Sequence, residues 1–481
     1  MNRRLVQKIF GLFLLLFSVT LLPPIFISLM YQDGELVHFL QSLSLTLVLG
    51  LILWLPLRHV HLNIKTRDGF VIVGLFWVVL SLLSALPFLL GPHMSLTDSF
   101  FEAVSAFTTT GATVISNLDS LPPSILFYRQ QLQWYGGMGV IVLAVAILPM
   151  LGIGGMQLYR AETPGPFKDD KIAPRLSQCA RSFWLIYVGI TVACAVAYRI
   201  AGMNWFDAVA HSLSTISTGG FSTHDASFAY FHSPQIEAVG IVFMILGGTN
   251  FSIHFLAIMR FRPAVYFQDL EVRSYLILLA SVGLIISAEL YFTHYHAGFY
   301  TALRHGLFQT ASIITSTGFI SEDFSSWPFF SPTLLFFASF IGGCAGSTAG
   351  GMKMIRFIIM IKQTNRDLIT LVHPSIDKPL KIANRVLSTR VIEAVWGYFS
   401  LYVASFVVIM LLLMATGLDQ VTAFTTLASS INNVGPALGD AAVNFQGINT
   451  PSKWLLAFAM LLGRLEIFTL LVLLTPAFWR Q

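Results

Sequence analysis

Four clusters of hydroxyl, amide and glycine residues recur along this 481-residue chain. They read Thr108-Thr109-Thr110-Gly111, Ser217-Thr218-Gly219-Gly220, Thr315-Ser316-Thr317-Gly318 and Asn432-Asn433-Val434-Gly435. Counted through Gly111, Gly219, Gly318 and Gly435, they are 108, 99 and 117 residues apart. Each follows a short amphipathic stretch and precedes a long apolar run. Glycine admits left-handed backbone that can turn carbonyls to one side. Carbonyls so turned can replace the hydration shell of a cation. The chemistry expected is therefore coordination of an ion in transit. Its ligands would be the carbonyls of Thr109, Thr110, Gly111, Ser217, Thr218, Gly219, Gly220, Ser316, Thr317, Gly318, Asn433, Val434 and Gly435.

Such loops need a membrane around them. Hydrophobic residues make up 55% of the chain and charged residues 11%, where soluble domains carry about 25% charged. Ten apolar runs are read as spans: 9–31, 37–57, 70–91, 126–151, 182–203, 235–260, 275–297, 332–361 (interrupted), 391–417 and 453–478. Each approaches the roughly 20 residues that cross a bilayer core of about 30 Å. The first is too long for a signal peptide, lacks a small-residue cleavage site, and contains Leu22-Pro23-Pro24.

Of the 28 Lys and Arg residues, 23 fall in segments 1–8, 58–68, 158–182, 260–273, 353–390 and the last residues. The positive-inside rule then puts both termini in the cytoplasm. This charge reports topology, and nucleic-acid binding is not expected, because it sits in short loops between spans. The three cysteines, Cys179, Cys194 and Cys344, lack pairing or metal spacing. The close pair His294-Tyr295-His296 falls at an outer end and is read as interfacial.

The elements that must position the clusters form an all-α polytopic protein. A leading two-helix segment (1–68) precedes four units, 69–160, 161–265, 266–385 and 386–481. Each unit is a span, a segment that enters but cannot cross, a polar turn, and a second span. In the first, Thr97-Asp98-Ser99-Phe100-Phe101-Glu102 opens the entering segment, with Thr97 as cap and both acids in the first turns. The others begin near Trp205, Leu303 and Leu418. Starting at the outer face, these half-helices aim negative C-terminal ends at the membrane centre, which favours a cation there. Irregular backbone at that depth is permitted only where protein buries it or a wet cavity lies beside it.

A second layer of breaks follows each filter by about 25 residues: Gly136-Gly137-Met138-Gly139, Gly247-Gly248-Thr249-Asn250, the run from Gly342 to Gly351, and Gly463. The run Gly342-Gly343-Cys344-Ala345-Gly346-Ser347-Thr348-Ala349-Gly350-Gly351 cannot continue a stable helix. It is read as an irregular loop lining the cavity and a candidate gate. Arg464 is the one arginine deep inside a span. A charge there faces a cavity or a partner, and Arg464 is expected to donate hydrogen bonds to that loop. Glu466 projects to a different side.

These residues resemble the membrane subunit of the bacterial Trk potassium-uptake system, in the Trk/Ktr/HKT superfamily. The likeness covers the whole chain: two leading helices, four units, four filters, and Phe340-Ile341-Gly342-Gly343-Cys344-Ala345-Gly346-Ser347-Thr348. Tyr128-Arg129-Gln130, Gln133-Trp134-Tyr135-Gly136-Gly137-Met138-Gly139 and Gly463-Arg464-Leu465-Glu466 also look like the family. The resemblance implies potassium as the transported ion, a homodimer with one pore per protomer, and the bacterial inner membrane. It implies gating at the third-unit loop with a cavity arginine at Arg464. It further implies a cytosolic TrkA-type regulatory subunit that binds ATP, ADP and NAD itself, leaving no organic cofactor in this chain. Segments 158–182 and 353–390 would offer the docking surface. A symporter coupled to H+ or Na+ is the alternative. It would want a titratable residue in the path, whereas Asp98, Glu102, Asp207, His211 and Asp419 are read as vestibule or capping groups. An intramembrane enzyme lacks support: there is no HExxH, no GxGD, and no serine with a base on a facing span.

Overall fold

The chain opens with two apolar spans. Arg3–Thr20 and Leu22–Tyr31 make the first, divided at Leu21, and Leu36–Trp54 returns. The division falls where Pro23 and Pro24 enter the first turn of the second piece, because proline has no N–H for the preceding turn. The two spans approach closely at glycines. A Cβ on Gly11 would lie 2.7 Å from the Trp54 amide nitrogen, and one on Gly50 2.9 Å from Leu15 Cδ2. In lipid, where apolar burial gives helices little reason to associate, small residues that permit such approach do.

The computed structural model describes residues 3–59, 66–142, 172–328, 330–375, 379–382 and 385–480. After the leading pair it repeats one order four times. The long first helices are Thr66–Ser84 with Leu86–Leu90, Ile172–Ile200, Leu270–Phe292 and Thr389–Ala415. The half-helices are Leu96–Phe107, Trp205–Ile216, Phe299–Ile314 and Gln420–Ile431. The second helices are Pro123–Val142, Pro234–Gly247 with Phe251–Arg260, Phe330–Ser339 with Met354–Val372, and Thr450–Arg464 with Phe468–Leu474. The only strand pairing among the described residues is Lys381–Ile382 against Arg385–Val386.

Among the described residues six helices are long and apolar enough to cross a bilayer, and two bent pairs raise that to eight. Of the two other expected spans, 126–151 continues beyond the described residues, and 332–361 is interrupted. The long helices carry exposed apolar side chains such as Phe26, Ile52, Val192, Ile277, Val408 and Leu411. Exposed apolar surface on that scale is a lipid-facing belt. The protein is a helical membrane protein.

The breaks expected at Gly247-Gly248-Thr249-Asn250 and Gly463 are bends of 99° and 118° in the second helices of units two and four. Two expectations change. The second helix of unit one, Pro123–Val142, runs unbroken through Gly136-Gly137-Met138-Gly139. The first half-helix is capped by Ser95, whose Oγ accepts from Asp98 N at 3.1 Å, and not by Thr97. Asn204 and Asp419 cap the second and fourth, while Gly298 precedes the third without a side-chain cap.

At 12 or 16 residues, the half-helices reach about 18 to 24 Å, short of the core. From Ser99 to Phe107 every residue of the first is buried. The apolar core straddles units. One cluster joins Phe39, Trp77 and Phe101 to Leu427 and Met460; a second joins Tyr275 and Ile313 to Val434; a third joins Tyr187 and Ile216 to Phe308. Units four and one, three and four, and two and three are thereby packed together.

Candidate cation pathway

All four half-helices end alike. Thr110 N donates to Ser105 O, Gly219 N to Ser214 O, Thr317 N to Ser312 O and Val434 N to Ser429 O, each at 2.8 Å. The preceding amides of Thr109, Thr218, Ser316 and Asn433 donate to Ala106, Thr215, Ile313 and Ser430. This doubled bonding is a Schellman motif, which requires a left-handed residue. Here φ is 54° at Thr109, 51° at Thr218, 55° at Ser316 and 52° at Asn433. Two residues later Gly111, Gly220, Gly318 and Gly435 are left-handed again, at 84°, 80°, 84° and 101°. The counterpart of Gly111 is therefore Gly220, one residue later than the Gly219 used for the sequence spacing.

The turns form a ring. A Cβ on Gly111 would strike the Gly219 carbonyl oxygen, one on Gly220 that of Thr317, and one on Gly318 that of Val434. One on Gly435 would lie 2.8 Å from the Thr110 carbonyl oxygen. Each glycine thus faces the carbonyl just before the next glycine, and the fourth closes on the first. Four turns in chain order surround one axis.

With the amides engaged by the half-helices, the carbonyls are left over. Among the described residues no hydrogen bond reaches the carbonyl oxygens of Thr109, Thr110, Thr218, Ser316, Thr317, Asn433 or Val434. All seven residues are at most 1% exposed. Buried carbonyls without partners are rare in folded proteins, and a ring of them can coordinate a dehydrated cation. Gly219 differs, accepting from Gln133 Nε2 at 2.6 Å.

Each limb returning from its turn toward the mouth is braced from its own half-helix. Glu102 accepts from Thr113 Oγ1 at 3.0 Å and Val114 N at 3.0 Å. His211 Nε2 meets Ser222 Oγ at 2.9 Å, and Ser312 Oγ donates to Phe319 O at 2.7 Å. Thr425 Oγ1 accepts from Leu438 N at 3.0 Å. Glu102 is also ion-paired with Arg129 at 2.8 Å, both fully buried. Arg129 continues to Ser222 O at 3.2 Å and lies 4.1 Å from the Phe221 ring centre, so it joins filters one and two. The reading of Glu102 and His211 as vestibule or capping groups gives way: both brace the limb that follows their own turn. Glu102, His211 and Gln309 all stand nine residues before Gly111, Gly220 and Gly318, a signal the sequence did carry. Asp98 pairs with Lys453 at 2.7 Å, and Asp419 caps as expected.

Below the ring, the chain from Phe340 to Lys353 leaves the helix. Gly342, Gly346 and Gly351 have φ of 72°, 69° and 77°. The loop docks into the bend of unit two, where Gly248 O accepts from Cys344 N at 2.9 Å and Gly247 O from Thr348 N at 3.3 Å. Glu271 Oε1 accepts from Ala345 N at 2.7 Å. Ser347 Oγ bonds within the loop to Cys344 O, and Lys353 Nζ donates to Ala349 O. The loop also reaches the left-handed filter residues. Gly350 N donates to Ser316 Oγ at 2.5 Å, and Thr348 Oγ1 lies 3.2 Å from Thr218 Oγ1. A Cβ on Gly343 would lie 2.6 Å from Ala349 Cβ, and one on Gly350 would strike Asn432 O.

Arg464 meets this loop as expected. Its Nη1 donates to Thr348 O at 2.9 Å, and Nη2 lies 3.5 Å from Gly136 O. It is 5% exposed, so its charge spans units one, three and four inside the protein. Glu466 points elsewhere, to Arg356 at 2.6 Å. Gly136, Gly247 and Gly463 are points of close approach between helices. A Cβ on each would crowd the last carbonyl of its own half-helix, Phe107 O, Ile216 O or Ile431 O. Of the expected docking segments, 158–171 lies outside the described residues.

Residues 35–480 match the family model described as TrkH, cation transport protein. The chain belongs to the TrkH family of cation transport proteins. It is 51% identical to the Trk system potassium uptake protein TrkH of Vibrio parahaemolyticus serotype O3:K6 and 48% to that of Escherichia coli (strain K12), over 100% of each chain. It is 40% identical to the Trk system potassium uptake protein TrkG of Escherichia coli (strain K12), over 99% of both chains. The fold is similar to the crystal structure of the potassium transporter TrkH from Vibrio parahaemolyticus, with TM-score 0.93, 49% identity and full coverage of both chains. The family's function is transport, not catalysis.

Proposed function

We propose that this chain takes up potassium through the ring of four filters. The observation that carries the reading is the set of buried carbonyls at Thr109, Thr110, Thr218, Ser316, Thr317, Asn433 and Val434 that no donor among the described residues reaches. Carbonyl dipoles at that spacing around one axis suit a weakly hydrated monovalent cation, and half-helix C-termini add negative potential. The relatives named above are potassium uptake proteins, which agrees. The loop Gly342–Gly351 with Arg464 is the gate, in its closed arrangement: the arginine ties loop to ring layer and sets positive charge on the cation path. Opening withdraws Thr348 from Arg464.

The protein works as a homodimer with one pore per protomer in the bacterial inner membrane, both termini in the cytoplasm. A cytosolic TrkA-type subunit binding ATP, ADP or NAD meets the basic segment 353–390 and moves the gate. Basic charge in the short loops opposite the filter mouth supports this topology. Transport is channel-like. Potassium and sodium flux into vesicles, with simultaneous pH recording, tests the proposal. Potassium flux well above sodium, without proton movement, is expected; equal fluxes overturn the filter assignment, and obligatory proton movement overturns the channel mode.

A further inference from the structure

Three metal-ligating side chains converge on the mouth of unit three, away from the ring. His296 follows the long helix Leu270–Phe292, His305 lies on the half-helix Phe299–Ile314, and Glu322 lies on the limb returning from Gly318. Glu322 Oε2 is 2.9 Å from His296 Nε2 and 3.8 Å from His305 Nδ1. All three ligand atoms lie within 4.8 Å of one another. The imidazoles stack at 5.3 Å with an interplanar angle of 21°, which holds both nitrogens toward the carboxylate.

We propose that His296, His305 and Glu322 form a binding site for a divalent transition-metal ion of the Zn2+ type. Two imidazoles and a carboxylate are a common zinc donor set, with water in the fourth position. Ligands at about 2.0–2.1 Å around a tetrahedral ion stand about 3.3 Å apart, so the site needs small side-chain shifts and the release of His305 Nδ1 from Ser321 Oγ, 3.1 Å away. The nearest opposing charge is engaged elsewhere: Arg304 Nε donates to Glu237 Oε2 at 2.6 Å. Both histidines are half-buried, so the ion displaces little water and still has a path from solvent. The sequence reading took His296 as interfacial, because its partners lie on two other elements.

Occupied, the site cross-links the limb of the third filter to its half-helix and to its long helix. It thereby offers control of that filter from the mouth side. The binding itself rests on no assumption about the transported ion, so its failure and that of the potassium reading are read separately.

The test titrates the full-length protein in nanodiscs, stripped of metal, with ZnCl2 by calorimetry and with CoCl2 by visible absorption. One site per chain is expected, with affinity falling at least about tenfold in His296→Gln, His305→Gln and Glu322→Gln. His294→Gln, whose imidazole is outside the triad, keeps wild-type affinity. Gel filtration and melting without metal confirm that each variant is folded. Absence of Zn2+ binding by the wild-type chain, or equal affinity in folded triad variants, overturns the proposal.

Discussion

Arg464 Nη1 donates to the carbonyl oxygen of Thr348 at 2.9 Å, joining the last unit to the loop of the third. Thr348 in turn touches Thr218 of the filter ring through its hydroxyl. A buried arginine, the loop from Gly342 to Gly351 and a left-handed residue of the ring thus form one connected chain.

Removing the guanidinium should release the loop. A hydrogen bond from a charged donor contributes about 1.5–3 kcal/mol. Arg464→Ala is therefore expected to raise resting potassium flux roughly tenfold or more. Flux in reconstituted vesicles measures this, and an unchanged rate contradicts the gating role.

Glu102 and Arg129 form a buried pair on which filters one and two both lean. Taking away one partner of such a pair costs about 3–5 kcal/mol, because the other charge is left buried. Glu102→Gln should lower the melting temperature in detergent sharply. Glu102→Gln/Arg129→Gln should recover part of the loss. A single variant that melts like the parent would refute the brace.

The register at the second filter is testable with adjacent glycines. A Cβ on Gly220 meets backbone, the Thr317 carbonyl, at a φ of 80°; one on Gly219 meets only the end of the Gln133 side chain. Gly220→Ala should abolish selective potassium flux, whereas Gly219→Ala should weaken it less. Selectivity measured on both decides, and the reverse order would restore the sequence spacing.

The four-turn pattern, the half-helices, the irregular loop from Gly342 to Gly351 and a hydrogen bond from Arg464 to that loop were legible in the sequence, since each is a local departure from apolar periodicity. Gly220 was hidden behind Gly219, because two adjacent glycines differ only in φ. Glycines marked the breaks near Gly247 and Gly463, but the same signal at Gly136-Gly137-Met138-Gly139 sits inside the unbroken helix Pro123–Val142, where the glycines serve close packing instead. Glu102 looked like an acid near a helix start; its place nine residues before Gly111, shared by His211 and Gln309 before Gly220 and Gly318, was the signal, and packing against Thr113 and Arg129 shows what it means.

His224 stands on the loop beyond the second filter, with Nδ1 2.5 Å from Asp119 Oδ1 and Nε2 3.3 Å from Asp207 Oδ2. Burial opposes its charge, but the hydrogen bonds to Asp207 and Asp119 outweigh that and raise its pKa above the ordinary histidine value. His211, the stacked Tyr230 and the edge-on Phe231 also lie close to it. A raised folded-state pKa stabilises fully below the unfolded value of ~6.5 and is lost as pH rises through the folded one. Thermal stability should therefore fall as pH climbs past that window. His224→Gln should flatten the slope, and an unchanged slope would contradict the pairing.

The central claim is that the unpartnered carbonyls of the ring hold the transported cation. Anomalous diffraction from crystals grown with Tl+ or Rb+ in place of K+ measures this directly. The account predicts a peak on the axis among the carbonyls of Thr110, Thr317 and Val434; an ordered ion elsewhere in the chain with none at the ring would contradict it.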